Sequence, residues 1–264
     1  MNKATQRSPI GLFCVNECKE KKTYFSFFFD YDIIKMESRE SMQNVNKINI
    51  IKTLLVFAIY FLYVNCFVTI FGNSVSINFI ADLLFLILMI VLYKNAIKNS
   101  LDALKKKKVI KELFGSIGYA LVLLVCYMVI GMVLMELFPE MENFDGNTVA
   151  IYYIYSLDTI YTIFKTLVFA SIAEELLFKE SIRTIIKPNA IYILVSSVIY
   201  AFVNIMYNNL SLPITWLNMI PYLLFAVLLN VIYVKNDNNI CLAMMVKFFY
   251  NLIPLAVLLS GLGA

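Results

Sequence analysis

Seven apolar runs, near residues 50–71, 76–93, 115–137, 151–187, 190–207, 217–235 and 240–261, leave this chain few ways to fold. An apolar stretch of about 18 residues or more with few charges is long enough to cross a bilayer as a helix. Inside hydrocarbon the backbone must satisfy its own hydrogen bonds, and a helix does so within one segment. The expected fold class is therefore all-α, a polytopic bundle of about seven transmembrane helices in the cell membrane. Composition agrees, with 61% hydrophobic and 15% charged side chains and a mean hydropathy of +0.78, whereas soluble domains carry about a quarter charged residues. No second large domain fits into the remaining length.

Basic residues set the expected orientation. Nine Lys and Arg precede or include Lys52, seven lie between Lys94 and Lys111, Arg183 and Lys187 close the fourth run, and Lys235 joins the sixth run to the seventh. The alternate intervals are nearly bare: 72–75 and 208–216 hold no charge, and 138–150 hold only Glu140, Glu142 and Asp145. Lys and Arg collect on cytosolic loops, so the pattern predicts an N-inside, multi-pass topology. Residues 1–46 are expected to form a cytosolic tail, with Met36 and Met42 as alternative starts close to the first run, and residues 47–264 the transmembrane domain. The run Lys105–Lys108 lies in a segment, about 95–113, that is suited to an interfacial helix on membrane lipid, although a cytosolic cluster that merely fixes topology has the same composition.

The fourth run is longer than a bilayer requires at 1.5 Å per residue, so it is expected to tilt or to project into the cytosol. Five Cys, at 14, 18, 66, 126 and 241, form neither a disulfide framework nor a zinc pattern. There is no His, which removes the side chain most used for proton transfer near neutral pH and the commonest metal ligand. No cofactor or metal is expected, and a net charge of +4 gives no reason to expect nucleic acid as a partner.

Charged side chains within apolar helices are costly and mark polar interiors. Here they gather in the fourth run as Glu174, Glu175, Lys179 and Arg183. Glu175 and Lys179 stand four apart in the favourable acid-first order, and Lys179 and Arg183 repeat that spacing. Glu174 points about 100° away from Glu175 and is left to face the bundle interior. Asn204 in the fifth run, and Lys247 one turn from Asn251 in the seventh, complete a set that would form one polar chamber if the three helices converge. Asp82, Asp158 and Lys165 are expected to pair within the bundle, with 158 and 165 two turns apart on nearly one stripe.

These residues resemble the CAAX-protease and bacteriocin-processing (CPBP, or Abi) intramembrane peptidases. That family's pattern is Glu-Glu-x-x-x-Arg, then Phe-x-x-x-His, then His-x-x-x-Asn. Glu174-Glu175-Leu-Leu-Phe-Lys179 resembles the first motif with Lys for Arg. Ser196-Ser197-Val-Ile-Tyr200-Ala-Phe-Val-Asn204 resembles the second with Tyr for Phe and Asn for His, and Lys247-Phe-Phe-Tyr-Asn251 the third with Lys for His. Pro221 through Tyr233 and Cys241-Leu-Ala resemble the intervening helix, so the likeness spans about 150–258.

The resemblance implies an endopeptidase in which Glu174 activates water, Glu175 assists it, and Asn251 is a retained amide donor. Asn204 and Lys247 occupy the substituted positions, while Tyr200, Lys179 and Arg183 support the site. Both imidazoles of the pattern are absent, and losing a proton-transfer group costs about 10²–10⁴ in rate. The expected function is that of a pseudoprotease, with Glu174 and Glu175 neutralised by Lys247 and Lys179, acting as a regulatory, scaffold or immunity protein. Its expected partner is another membrane protein or a membrane-anchored peptide. The alternatives are an active glutamate-dependent endopeptidase and a small transporter, or a carboxylate cluster that only holds helices together.

Overall fold

The computed structural model describes residues 47–63, 74–106, 109–139, 146–206 and 212–260. The tail 1–46 and the Lys107–Lys108 part of the basic run lie outside the described residues. All regular structure among the described residues is helical. In chain order the elements are α1 (Lys47–Leu62), α2 (Val75–Leu92), α3 (Lys94–Lys106), α4 (Val109–Leu137), α5 (Gly146–Leu157), the compound helix α6, α7 (Asn189–Ile205), α8 (Pro213–Leu217), α9 (Met219–Lys235) and α10 (Ile240–Leu259).

Four segments are long and apolar enough to cross a membrane: Val75–Leu92, Val109–Leu137, Ile214–Lys235 and Ile240–Leu259. The protein is a helical, multi-pass membrane bundle. Of the seven expected crossings, α7 is apolar but has 17 residues, and the first run is described only as far as Tyr63. The face of α4 bearing Leu121, Val125, Met128 and Met132 is exposed. Such an apolar surface on a soluble monomer would drive association, whereas hydrocarbon solvates it.

The fourth run departs most from expectation. It is not one over-long helix. Asp158 takes an extended backbone, ends α5, and its carboxylate accepts the Tyr161 amide at 2.8 Å, which starts the next helix. A short acceptor side chain at that point satisfies one of the amides that a helix start leaves unpaired. Asp158 therefore serves as a cap instead of pairing with Lys165.

Beyond Asp158, α6 runs as Thr159–Ile163, a π-helical stretch Phe164–Phe169, α geometry at Ala170–Glu175, a second π-helical stretch Leu176–Ser181, and a final turn Ile182–Ile185. This is the axis of the bundle. Phe169, Ala173, Leu176, Leu177 and Phe178 pack with Val56 and Tyr60 of α1, Phe85 and Met89 of α2, and Tyr233 and Ile240 near the α9–α10 joint. A second cluster joins Leu123 of α4, Phe225 and Leu229 of α9, and Val246 of α10. A helix buried on all sides reads as a continuous apolar run, which is why its charged residues stand out so clearly in the sequence.

Widening a helix to π geometry disturbs the regular i to i−4 ladder, so carbonyls there need other donors. Ser196 and Asn251 supply them at Phe178 and Thr166, and Thr53 adds a third bond from a neighbouring helix. Thr53 Oγ1 of α1 donates to Ser181 O at 2.9 Å, Ser196 Oγ of α7 to Phe178 O at 2.6 Å, and Asn251 Nδ2 of α10 to Thr166 O at 2.9 Å. These bonds fix how α1, α7 and α10 sit around α6.

Candidate functional site

The short α segment Ala170–Glu175 lies between the two π stretches and carries both adjacent carboxylates. Lys247 enters from α10. Its Nζ lies 2.9 Å from Glu174 Oε2 and 3.2 Å from Glu175 Oε1, so a single ammonium fills the angle between two consecutive acids. Lys179 Nζ stands 3.1 Å from Glu175 Oε2. That approach is off the hydrogen-bonding angle, because Oε2 has charge contact without an aligned donor.

Two carboxylates and two ammonium groups thus form a quartet of zero formal charge. Lys247, Glu175 and Lys179 are 3%, 2% and 4% exposed, while Glu174 keeps 22%. Burying isolated charges costs several kcal/mol per ion, and only close, well-packed opposite charges offset it. Tyr200 closes the chamber. The Lys247 ammonium sits 4.9 Å from its ring centroid, and the ring is held edge-on against Phe178 at 5.3 Å. Ser171, one turn before Glu175, is buried with an unpartnered hydroxyl.

The two amides behave differently from the acids. Asn251 Nδ2 is directed to the Thr166 carbonyl, and Asn204 Nδ2 to the Tyr200 carbonyl of its own helix at 2.8 Å. Arg183 is engaged at the end of α6, where Nη1 donates to the Ile186 and Lys187 carbonyls and Nη2 to Asn189 Oδ1 at 2.6 Å. The structure therefore brings together Glu174, Glu175, Lys179, Lys247 and Tyr200, and gives the described hydrogen bonds of Asn204, Asn251 and Arg183 to backbone or to Asn189. Among the described residues no three Cys, Asp or Glu side chains gather into a metal-binding group.

Beside the quartet lies a cavity of about 460 Å³ between α4, α5, α9 and α10. Tyr200 and Asn251 form its boundary with the charged cluster, and Tyr127, Tyr222, Phe225 and Tyr250 supply aromatic walls. Pro254 also lines it, and this proline has no amide to offer the Tyr250 carbonyl one turn earlier.

Two further polar clusters lie in the bundle: the Asn230 cluster was not expected from the sequence, whereas Asp82 and Lys165 were expected to pair within the bundle but not with each other. Asn230, buried in apolar α9, donates from Nδ2 to Ser196 Oγ at 3.0 Å and Ser197 Oγ at 2.9 Å, and its Oδ1 accepts from Tyr192 Oη at 3.3 Å. Its signal was a single amide in an otherwise apolar helix. Asp82, fully buried in α2, accepts from the Tyr63 hydroxyl, from Tyr161 Oη at 2.8 Å, and from Lys165 Nζ at 2.8 Å on both oxygens. Lys165 thus pairs with Asp82 across helices.

Fold and site together define a helical integral membrane protein with a charge-compensated chamber inside its bundle, built from conjoined acids on one helix and a lysine on another. Residues 156–253 match the family model described as type II CAAX prenyl endopeptidase Rce1-like. This segment carries all four charged residues of the chamber and falls within the expected 150–258. Comparison with curated proteins and with solved structures finds no match.

Proposed function

We propose that this protein keeps the family's chamber without its hydrolytic chemistry and works by binding, as a regulator, scaffold or immunity protein in the membrane. The observation that carries this reading is Lys247, whose ammonium touches Glu174 Oε2 at 2.9 Å and Glu175 Oε1 at 3.2 Å. A general base needs a free lone pair within reach of a water and a pathway for the proton it takes. Here the carboxylates face a group with three donors and no acceptor. The position that an imidazole would need for proton exchange is filled by a cation that holds the acids in place.

Asn251 adds support. An oxyanion donor must aim where negative charge develops, whereas this amide is directed to the Thr166 carbonyl. The neighbouring apolar cavity gives a binding role its material: it has room for an apolar side chain or lipid-like chain of a membrane-anchored peptide, against Tyr127, Tyr222 and Phe225.

The test is a gain of function. Purified protein in detergent or nanodiscs, given a prenylated peptide with a C-terminal CAAX sequence, is expected to release no product, and Glu174→Gln is expected to change nothing. The double variant Asn204→His, Lys247→His restores both imidazoles and is expected to raise cleavage above background. Turnover by the unmodified protein that disappears in Glu174→Gln would show an active peptidase and end the proposal. Crosslinking in membranes is expected to capture a protein partner equally well with Glu174→Gln.

A further inference from the structure

A second cavity, of about 470 Å³, opens at the end of the bundle where the basic residues gather. Three elements wall it: α3 through Asn99, Ser100 and Ala103, the end of α6 through Glu180, Arg183 and Lys187, and the Asn236–Asn239 turn between α9 and α10. It is distinct from the quartet, and its lining is polar where the other cavity is aromatic.

The walls are fixed. Asn239 caps α10 by accepting the Leu242 amide at 3.0 Å and donates to the Ser100 carbonyl at 3.1 Å, while Ser100 Oγ accepts the Ile240 amide at 3.2 Å. Asp237 and Asn238 adopt φ of 59° and 55°, the left-handed region that Asn and Asp tolerate best after glycine. The turn is thereby held in one shape.

Its two cations, Arg183 and Lys187, have no ion-pair contact among the described residues. Arg183 donates to the Ile186 and Lys187 carbonyls and to Asn189 Oδ1, and Lys187 Nζ reaches only the Arg183 carbonyl at 3.3 Å. On the same wall, one turn before Arg183, Glu180 accepts the Tyr233 hydroxyl at 2.9 Å and lies in the field of Lys187 and Arg183. Asn238, on the turn, has a buried Oδ1 with no donor. A buried acceptor without a partner costs about as much as a lost hydrogen bond, and this oxygen is open to a donor from a ligand.

We infer that this cavity binds a zwitterionic aminophosphate, the headgroup of an aminophospholipid such as phosphatidylethanolamine. The phosphate meets Arg183 and Lys187, neither of which has a carboxylate at ion-pairing distance among the described residues. The ammonium meets Asn238 Oδ1 and the carboxylate of Glu180. A purely anionic headgroup leaves the acceptor wall unmet, and a quaternary ammonium has no N–H for Asn238. The positive-inside pattern puts this end at the cytosolic membrane surface, where such a headgroup is within reach.

The experiment reads lipid selectivity by native mass spectrometry of full-length protein released from nanodiscs that contain phosphatidylethanolamine, phosphatidylcholine and phosphatidylglycerol in equal parts. Bound phosphatidylethanolamine is expected to exceed phosphatidylcholine by about tenfold, the scale of one hydrogen bond to a charged group. Asn238→Gly, which keeps the left-handed backbone while removing the amide, and Lys187→Gln are each expected to erase that preference while the thermal midpoint stays within a few degrees. Glycerophosphoethanolamine added to phosphatidylcholine nanodiscs distinguishes the sources. If it raises the midpoint in the unmodified protein alone, a soluble aminophosphate is a ligand as well. Equal occupancy by all three lipids, or a preference untouched in both variants, refutes the site.

Discussion

Replacing Lys247 by Met is the most informative single change, because it removes a charge while leaving a side chain of similar length and apolar volume. The quartet then carries one uncompensated negative charge. Glu175, 2% exposed, keeps only the misaligned Lys179 at 3.1 Å, while Glu174, 22% exposed, regains some access to water. Removing one partner of a buried pair costs about 3–5 kcal/mol, and Lys247 touches two acids, so the lower bound of about 3 kcal/mol is the expected loss. Most of it resides in Glu175. Adding Glu175→Gln to Lys247→Met is therefore expected to recover about 2 kcal/mol, and adding Glu174→Gln less than about 1 kcal/mol, because the exposed acid is already partly hydrated. Reversible unfolding in mixed micelles, followed by circular dichroism, gives the three values. A Lys247→Met variant within about 0.5 kcal/mol of the parent, or equal rescue by the two glutamines, would contradict the buried quartet.

Asp82→Asn puts an amide donor against three donors, Tyr63, Tyr161 and Lys165, and is expected to cost about 3 kcal/mol in the same assay, with Lys165→Met restoring about half. Asn230→Leu strips Ser196, Ser197 and Tyr192 of a shared partner, for an expected loss of about 1–3 kcal/mol. Asn251→Leu orphans the Thr166 carbonyl and is expected to cost about 1–3 kcal/mol with no substrate present, a loss that a purely catalytic amide would not produce.

Hydropathy and charge made the membrane bundle legible, because an 18-residue apolar window carries its meaning in one dimension. The charged chamber was legible for a related reason: Glu174, Glu175, Lys179 and Lys247 are conspicuous in apolar surroundings, and their mutual neutralisation followed from sign alone. What failed to show was azimuth between helices. Asp158 and Lys165 lie on one stripe, but the break at Asp158 turns the first into a cap and frees the second for Asp82 on α2. Glu174 and Glu175 diverge by about 100° in a regular helix, which argued against a shared partner. A lysine arriving between them from α10 serves both. The two π stretches have no pattern in residue type, so the need of Thr166 and Phe178 for outside donors was invisible.

Those stretches change what a retained asparagine means. An amide kept at a catalytic position invites a catalytic reading, but Asn251 here answers a carbonyl that π geometry has left without its usual ladder partner. Its role is therefore accounted for by the fold, whether or not any substrate is turned over. The same holds for the acids. Glu175 in the bundle interior is tolerable only because Lys247 and Lys179 accompany it, so restoring chemistry takes more than supplying an imidazole at 247. Such a change also withdraws the ammonium that stabilises the acids. On the proposed reading, hydrolysis and stability compete for one residue, and Lys there exchanges a water-activating base for a charge-balanced chamber.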